Sequence, residues 1–350
     1  MKKVLLYAFT EGFGGVERYM LNLLLYTENA KDKFAVIVKG KNTIYAKEFE
    51  RLGIAVYYTE NKVSKLFSIM RSVRNQYNTL YVNTSALIDP RPFIIFKLFR
   101  YGIYLHSHSS NMLGIKKYFH FINRKWVNLI IDKRFSCSEK AAKWMFNKGD
   151  YTFIPNAVNT DKYLFKEEWR RDIRNKYGID DTTILLGCIG RLCAVKNQKF
   201  LLDVLYRLDN AGKSYKLMLI GSGEDGPALK KLTSKLGLDS TVIFTGAVNS
   251  TEKYLAALDC LLMPSLIEGF PYTLVEAQCS GLKCVASEMV TKEADLIGNV
   301  KCLPLSAGAA LWAEFIAKMD FARHFDLEAI ISKGFDIKDT ETTVLSALLK

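Results

Sequence analysis

The sequence predicts an α/β protein of two domains, each a doubly wound parallel sheet, that face each other across a cleft. The chain has 350 residues, which is long for one hydrophobic core and ample for two. Short apolar runs alternate with segments of helical spacing, the pattern of parallel strands joined by crossover helices. A charged, helical connector at Lys166–Gly178 separates two such series. We therefore expect domains at residues 1–165 and 166–335.

The first series begins with the apolar run KKVLLYAF. This run is too short for the apolar core and cleavage site of a signal peptide, and it leads into a glycine turn, so we interpret it as a strand. A helix is expected from Val16 to about Tyr26, with further helices near residues 45–52 and 65–75. The later strands are predicted, in chain order, at FAVIVKG, AVYYT, TLYVN, IYLHSH and FSCS.

The second series follows the connector and has the same alternation. Its strands are predicted at ILLGCIG, YKLMLIG, VIFTG, LDCLLMP and CVAS, and its helices at NQKFLLDVLYRLDNAG, DGPALKKLTSKLG, TEKYLAALD and TLVEAQCSG. Ligands of such sheets bind beyond the carboxyl ends of the strands. The loops at those ends are therefore the candidate functional segments.

The net charge of +13 belongs to the first part of the chain. Residues 1–150 hold 25 Lys and Arg against 11 Asp and Glu, and the remaining residues are nearly balanced. In residues 91–102 and 115–131 the basic residues alternate with large apolar ones, which is typical of segments that lie on an anionic membrane surface. Ordinary helices with solvated lysine faces are the alternative. No nucleic-acid-binding motif accompanies the charge, so we expect no nucleic-acid partner.

The cysteines do not indicate a metal site. The chain has seven, at irregular spacing and mostly within apolar segments, as expected for buried thiols of a cytoplasmic protein. There is no Cys-x-x-Cys pair, no Cys/His spacing for zinc and no Asp-x-Asp. We therefore expect no metal or other cofactor.

No apolar stretch approaches the roughly 20 residues of a membrane-spanning helix.

The segment Pro264–Ser287 places two carboxylates around a turn that opens a helix. Glu268 lies on the loop after the strand LDCLLMP, and Glu276 lies one to two turns into the next helix. Carboxylates accept hydrogen bonds from sugar hydroxyls, and the free amides expected at Gly269 and Phe270 attract phosphate oxygens. A sugar nucleotide would use both. The alternative is that the glutamate only interacts favourably with the helix dipole and that the Gly-Phe-Pro segment is only a turn.

Two other loops carry groups suited to a diphosphate. Gly14 and Gly15 separate a strand from a helix and permit close approach of the backbone to an anion. Arg191 and Lys196 share the loop after ILLGCIG, where two cations could stabilise the charge on a departing nucleoside diphosphate. The alternative for the glycines is an ordinary turn, and the alternative for the two cations is a solvated surface position.

Two further patterns have competing interpretations. GSGEDG, at residues 221–226, matches G-x-G-x-x-G, but Thr245 and Gly246 stand where a dinucleotide site needs an acidic residue, so a nicotinamide cofactor is disfavoured. His106 and His108 share one face of a strand end. They could be metal ligands, but no third ligand lies nearby in the sequence, and packed or hydrogen-bonded histidines are the alternative.

Together the motifs resemble those of retaining family 4 glycosyltransferases of the GT-B type. The resemblance is carried by Glu268 and Glu276 with Gly-Phe-Pro after the first, by the G-R-x-x-x-x-K element of residues 190–196, and by the GG-x-E turn of residues 14–17. These motifs occur in the expected order over nearly the whole chain. Asn156 resembles the family's P-N-G-V-D element with two departures, at Ala157 and Asn159, and we expect a structural role for it.

The resemblance implies two facing Rossmann-like domains, with residues 336–350 as a helix that crosses back toward the first. It implies retaining transfer from a UDP-sugar to a lipid-linked saccharide or glycan acceptor, in capsular or exopolysaccharide synthesis at the inner face of the cell membrane. The catalytic residues it implies are Glu268, Arg191, Lys196 and His108, with His106 as the alternative to His108. The donor-binding residues it implies are Gly14, Gly15, Arg191, Lys196, Gly223, Glu224, Val248, Glu268, Gly269, Phe270, Pro271 and Glu276.

No carboxylate is identified as the nucleophile of a double displacement. The resemblance implies a same-face reaction instead, in which the leaving phosphate accepts the proton of the attacking hydroxyl. Three alternatives stay open: a nucleotide-sugar epimerase of the same fold, a nicotinamide dehydrogenase, and a non-catalytic protein that binds membranes or polysaccharide. The epimerase would release free sugar nucleotide without an acceptor, and the dehydrogenase would bind a fluorescent cofactor.

Overall fold

The computed structural model describes residues 3–12, 14–112, 114–208 and 212–349. The chain divides into two compact units: unit 1 holds the residues up to Val158 and those from Gly334 onward, and unit 2 holds Asn159–Lys333. The sequence placed the boundary after residue 165. The structure divides the chain slightly earlier, since the 3₁₀ helix Thr160–Tyr163 packs against the helix Tyr272–Cys279 of unit 2.

Each unit contains one parallel sheet, as predicted. The strands of unit 1 are β1 (Val4–Phe9), β2 (Phe34–Val38), β3 (Ala55–Tyr58), β4 (Thr79–Thr84), β5 (Gly102–Ser107), β6 (Lys133–Ser136) and β7 (Thr152–Phe153). Those of unit 2 are β8 (Ile184–Ile189), β9 (Tyr215–Ile220), β10 (Val242–Gly246), β11 (Cys260–Met263), β12 (Lys283–Ser287) and β13 (Val300–Leu303).

Helices connect the strands in both units. They are α1 (Gly15–Tyr26), α2 (Ala30–Lys33), α3 (Ala46–Arg51), α4 (Val63–Val73), α5 (Arg91–Leu98), α6 (Lys116–Ile130), α7 (Glu139–Phe146), α8 (Glu167–Lys176), α9 (Gln198–Leu208), α10 (Gly226–Lys235), α11 (Thr251–Ala257), α12 (Tyr272–Cys279), α13 (Gly308–Ala317), α14 (Leu327–Ser332) and α15 (Ile337–Leu349). Among the described residues, none of these helices combines the length and apolarity needed to cross a bilayer.

The strand order reverses once in each sheet. In unit 1 the order is β3-β2-β1-β4-β5-β6-β7, so β1 pairs with β2 on one side and with β4 on the other. In unit 2 the order is β10-β9-β8-β11-β12-β13, so the same relation holds for β8, β9 and β11. We call the carboxyl ends of β1 and β4 switch point 1 and those of β8 and β11 switch point 2. A crevice at such a point is where doubly wound sheets bind ligands.

The strands form where the sequence is apolar over a short run and both sheet faces are covered. All five residues of β2 are buried, as are all four of β11, which is typical of strands in parallel sheets. The two-residue β7 was not predicted as a strand by itself, and both of its residues are exposed. β13, α13 and α14 also lie in a segment for which the sequence analysis gave no elements.

The base of unit 2 is held by a buried ion pair. The Arg174 guanidinium, 2% exposed, donates to the Asp259 carboxylate at 3.1 Å and to the carbonyl of Thr183 at 2.6 Å. The same carboxylate accepts from the Leu185 amide at 2.7 Å. These bonds fix α8 to the amino-terminal ends of β8 and β11. They therefore help to hold the two strands, whose carboxyl ends form switch point 2, in place.

The last helix belongs to unit 1. The Val158 amide donates to Phe335 O at 3.0 Å, and the Ile337 amide donates to Val158 O at 2.9 Å. Within unit 1, α15 then packs against α1, and the Lys133 ammonium donates to Ala347 O at 2.7 Å.

Candidate functional site

At switch point 2 the loops after β8 and β11 are tied to each other. The Leu266 amide donates to Val195 O at 2.8 Å, and the Asn197 side-chain amide donates to Pro264 O at 3.2 Å. Asn197 has a φ of 55°, in the left-handed region that asparagine tolerates well. The two loops therefore hold their side chains in fixed relation to each other.

Lys196 and Glu268 meet where the two loops are tied. Their Nζ and Oε1 atoms are 2.5 Å apart, and the side chains are 28% and 10% exposed. Burial by itself lowers the pKa of Lys196, but the charge and hydrogen bond of Glu268 outweigh burial, so the pKa is raised and the ammonium stays charged. An ammonium has three donors, so Lys196 can keep this bond and still donate to a ligand oxygen.

Arg191 lies on the same loop but forms a different kind of pair. Its Nε atom donates to Glu224 Oε2 at 3.0 Å, with side chains that are 67% and 57% exposed. Such an exposed pair contributes little to stability and is easily exchanged for a ligand. Gln198 fixes the backbone of the loop, because its amide donates to Arg191 O at 2.9 Å.

The glycines of the GSGEDG loop are required by close packing against the Arg191 loop. A Cβ on Gly221 would lie 2.0 Å from Gly190 O, and one on Gly223 would lie 2.2 Å from Leu192 O. The Leu192 amide donates to Ser222 O, and the Asp225 amide donates to Leu192 O, each at 3.0 Å. These two glycines thus position the segment that carries Arg191. The GSGEDG loop therefore affects switch point 2 through its contacts with the Arg191 loop.

The remaining predicted donor residues of unit 2 have different surroundings. Glu276 is the fifth residue of α12 and is 1% exposed, and the loop residues Gly269, Phe270 and Pro271 before that helix are also buried. Val248 is half-buried in the segment after β10. The structure thus brings Lys196 to Glu268 and Arg191 to Glu224, and it places Glu276 one helix turn beyond the β11 loop.

The predicted glycine turn of unit 1 opens α1 at switch point 1. Gly14 precedes the helix, and a Cβ there would lie 2.6 Å from Glu17 Oε2, whereas a Cβ on Gly15 would meet nothing within 4 Å among the described atoms. The Thr10 hydroxyl donates to Glu17 Oε1 at 2.6 Å. Glu17 is therefore engaged with the turn itself.

His106 and His108 lie in a buried aromatic network. The Tyr81 hydroxyl is 2.6 Å from His106 Nδ1 and 2.8 Å from the Tyr19 hydroxyl, and His108 Nε2 donates to Asn83 Oδ1 at 2.8 Å. Burial lowers the pKa of His106 well below its ordinary value and lowers the pKa of His108 to about 3. Both imidazoles are therefore neutral near pH 7, and the role of either in catalysis stays a prediction.

Sequence reasoning missed two residues that position the site. Asn197 and Gln198 hold the β8 loop through their side-chain amides, and they follow Lys196 directly in the sequence. Their adjacency to the G-R-x-x-x-x-K element was the available signal. Among the described residues no group of three or more His, Cys, Asp or Glu could hold a metal ion, and metal independence stays a prediction.

Part of the chain is similar to a known family of enzymes. Residues 170–320 match the family model described as Glycosyl transferases group 1. The chain is 26% identical over 363 residues to a putative glycosyltransferase EpsF of Bacillus subtilis strain 168, covering 95% of this chain and 92% of that protein. It is 29% identical over 113 residues to the lipopolysaccharide 1,6-galactosyltransferase of Escherichia coli K12, covering 31% of each chain.

Two solved structures share the fold. Anabaena Alr3699/HepE in complex with UDP-glucose superposes with a TM-score of 0.81 at 19% identity, covering 99% of this chain and all of that one. The apo lipopolysaccharide outer core galactosyltransferase WaaB superposes with a TM-score of 0.70 at 18% identity, covering 99% of both chains. The fold is that of GT-B glycosyltransferases, and residues 170–320 are similar to the group 1 glycosyltransferases.

Proposed function

We propose that the protein is a retaining, metal-independent glycosyltransferase that moves a sugar from a UDP-sugar to a lipid-linked or glycan acceptor of cell-surface polysaccharide. The observation that carries the proposal is the Lys196–Glu268 contact at switch point 2, beside the exposed Arg191. The comparisons support a UDP-sugar donor, because a protein of the same fold binds UDP-glucose.

The charges of this site suit a nucleoside diphosphate as it leaves. Lys196 keeps its bond to Glu268 and donates another N–H to a phosphate oxygen. Arg191 exchanges its exposed partner Glu224 for the diphosphate, which its planar guanidinium can bind in bidentate fashion. As the bond from the anomeric carbon to the phosphate oxygen breaks, both cations stabilise the charge that develops there.

The carboxylates take the hydroxyl groups of the donor. Glu268 accepts from Lys196 through Oε1, and because a carboxylate offers several lone-pair sites it can also accept from a hydroxyl of the transferred sugar. Glu276 takes the ribose hydroxyls. The acceptor oxygen then bonds to the anomeric carbon on the face that the diphosphate leaves, and its proton passes to the departing phosphate oxygen, which gives retention.

A labelled-donor assay tests the proposal. The full chain is incubated with a panel of radiolabelled nucleotide sugars and bacterial membranes, and label is counted in the lipid fraction. We expect transfer from a UDP-sugar, with the anomeric configuration of the donor kept when the product is read by NMR. Release of an altered sugar nucleotide without acceptor would identify an epimerase instead, and an inverted product would contradict the mechanism.

The location of the acceptor is proposed from α6, whose exposed side chains include several large apolar ones. Its opposite face is buried through His120, Asn123 and Val127. At helical spacing on the outer face stand Ile115, Tyr118, Phe119, Ile122 and Leu129, which are 53–83% exposed.

We call these five residues the α6 apolar face. The helix carries four Lys or Arg and no Asp or Glu, so its charge complements anionic lipid. This supports a cytoplasmic enzyme that docks on the inner face of the membrane, where lipid-linked acceptors lie.

Vesicle sedimentation tests the docking. The wild type should pellet with vesicles that contain phosphatidylglycerol and stay in solution with pure phosphatidylcholine. The double variant Phe119→Asp/Ile122→Asp should lose the binding, whereas Tyr206→Asp, which changes an exposed aromatic residue of unit 2, should keep it. Unchanged pelleting of the double variant would contradict the role of the α6 apolar face.

A further inference from the structure

Unit 1 contains a cavity that the donor chemistry above does not use. Its volume is about 330 Å³, near the lower end of ligand pockets and large enough for a single sugar. Lys39 and Thr59 follow β2 and β3, Thr84 ends β4, and Tyr7 lies in β1, so the cavity opens at the carboxyl ends of four adjacent strands. This is switch point 1, where a doubly wound sheet is expected to bind a ligand.

Lys39 is the cation of this cavity that forms no ion pair with a described residue. Three basic residues line it: Lys62 pairs with Glu60 at 3.4 Å, and Arg91 forms a fork on Asp89 at 2.8 and 2.9 Å. Within the described part of the chain, no carboxylate forms an ion pair with Lys39. Its ammonium instead lies 5.1 Å from the centroid of the Tyr7 ring.

The backbone holds Lys39 firmly in this position. Its amide donates to Phe9 O at 2.8 Å, and its carbonyl accepts from the Thr59 hydroxyl at 2.7 Å. Burial lowers the pKa of Lys39, an effect that the charges of Glu17 and Asp89 offset only in part. A partly buried cation whose burial is only partly offset by nearby charges is costly, and an anionic ligand would lower that cost.

The rest of the lining suits a sugar ring. Asn61 and Ser85 are exposed at the cavity and offer an amide and a hydroxyl for hydrogen bonding. Ile88, Phe93 and Met112 provide an apolar wall against which the C–H face of a sugar can pack. The cavity thus combines one unpaired cation, polar groups and an apolar surface.

We propose that this cavity binds a sugar that carries an anionic group, with the anion paired to the Lys39 ammonium and the ring on the apolar wall. A uronate and a sugar phosphate share this chemistry. The inference rests on the proposed function in one respect: the bound sugar would be the acceptor's, so the enzyme would extend an acidic saccharide or a sugar phosphate.

Binding of four small probes to the full chain tests the inference. Saturation-transfer NMR titrations with glucuronic acid, glucose 1-phosphate, glucose and inorganic phosphate give their relative affinities. At least one acidic sugar should bind about tenfold or more tightly than glucose, the size expected of a charge-assisted hydrogen bond. The preferred acidic sugar identifies whether carboxylate or phosphate is recognised.

Matched variants test which lysine binds the anionic group of the sugar. Lys39→Gln should reduce the affinity for the acidic sugar to that for glucose, whereas Lys62→Gln, which changes a paired cation at the same cavity, should leave it within about twofold. Equal binding of glucose and the acidic sugars, unchanged binding by Lys39→Gln, or inorganic phosphate binding as tightly as glucose 1-phosphate would each overturn the inference, as would no binding of any sugar.

The donor site provides the check that separates this inference from the proposed function. UDP binding measured by calorimetry should be the same in Lys39→Gln and in the wild type, which also shows that the variant is folded. UDP binding without acidic-sugar binding overturns the cavity assignment alone. Acidic-sugar binding without UDP binding supports the cavity and contradicts the glycosyltransferase proposal.

Discussion

Switch points 1 and 2 have the same strand topology but opposite charge arrangements. At switch point 2 the cation Lys196 is already paired, with Glu268 2.5 Å away. At switch point 1 the cation Lys39 lies over the Tyr7 ring, and no carboxylate among the described residues forms an ion pair with it. A paired cation is held in place before the ligand arrives, whereas an unpaired cation needs an anion from outside. The topology therefore sets where a ligand binds, and the side chains set what kind of ligand it is.

The largest expected effect comes from breaking the pair at switch point 2. Lys196→Ala and Glu268→Ala should each reduce kcat about 10²–10³-fold, since each removes a preorganised group at the site of developing charge. Steady-state kinetics with the UDP-sugar donor measures the effect, and circular dichroism checks the fold. Lys199→Ala, an exposed lysine three residues further along, is the matched control. Near-normal turnover of either site variant would refute their assignment.

Replacement by alanine should be tolerated differently at Gly223, beside switch point 2, and at Gly15, at switch point 1. Gly223→Ala would place a Cβ 2.2 Å from Leu192 O, a backbone atom that cannot move aside, so we expect a loss of about 1–3 kcal/mol in the free energy of unfolding. Gly15→Ala should leave stability within about 0.5 kcal/mol, because its Cβ would meet no described atom within 4 Å.

Urea unfolding of both glycine variants measures this contrast. Equal stability losses in the two variants would show that the steric contrast between the switch points is wrong.

The buried histidines beside switch point 1 predict a pH effect on stability. His108 has a pKa of about 3 in the folded chain, against 6.5 for the ordinary residue. Between these values the unfolded chain binds a proton that the folded chain does not, so stability falls as the pH drops below 6.5. One such histidine contributes a loss of about 2 kcal/mol between pH 6.5 and 5.

Urea unfolding of the wild type and His108→Gln at pH 6.5 and 5 isolates the contribution of that histidine. The variant should lose correspondingly less stability over this interval. Parallel pH dependences of the two proteins would show that His108 is protonated in the folded state, which would contradict a neutral imidazole network at this switch point.

The smallest expected effect is a gain in stability. Lys39→Met removes the unpaired cation and should raise the free energy of unfolding by about 0.5–1 kcal/mol at pH 7. Because the pKa of Lys39 is lowered, the cost of its charge is fully present below the folded pKa and is lost above the ordinary value of 10.5, so the gain should shrink there.

Thermal unfolding of Lys39→Met and of the exposed Lys41→Met provides the measurement and its control. Lys41→Met should change the melting temperature little at any pH. Destabilisation by Lys39→Met would mean that Lys39 is part of the scaffold of unit 1 and would remove the contrast with Lys196.

The sequence predicted most of the fold because its strands are local apolar runs. β10 was predicted with the bounds that the structure has, Val242–Gly246, and the α12 helix was predicted to within a few residues. The start of α9 was predicted to within one residue, and residues 209–211 of its predicted end lie outside the described residues. β13 was missed because its four residues include Lys301, which is exposed, so the run is not continuously apolar. The pairing that forms this edge strand is non-local and leaves little signal in the sequence.

The site was predictable only where a motif carried it. Lys196 and Glu268 were identified from separate motifs, but their contact joins residues far apart in the chain and depends on the pairing of β8 with β11. Lys39 was not identified, since nothing local distinguishes it from the solvated Lys41. Its burial comes from strands and loops that meet only in the folded unit.

Calorimetric titration of UDP tests the central claim, that Lys196 and Glu268 hold a diphosphate-linked donor at switch point 2. We predict measurable heat of binding for the wild type, at least tenfold weaker binding for Lys196→Ala, and unchanged binding for Lys199→Ala. Absence of heat from the folded wild type, or equal affinity in Lys196→Ala, would contradict it.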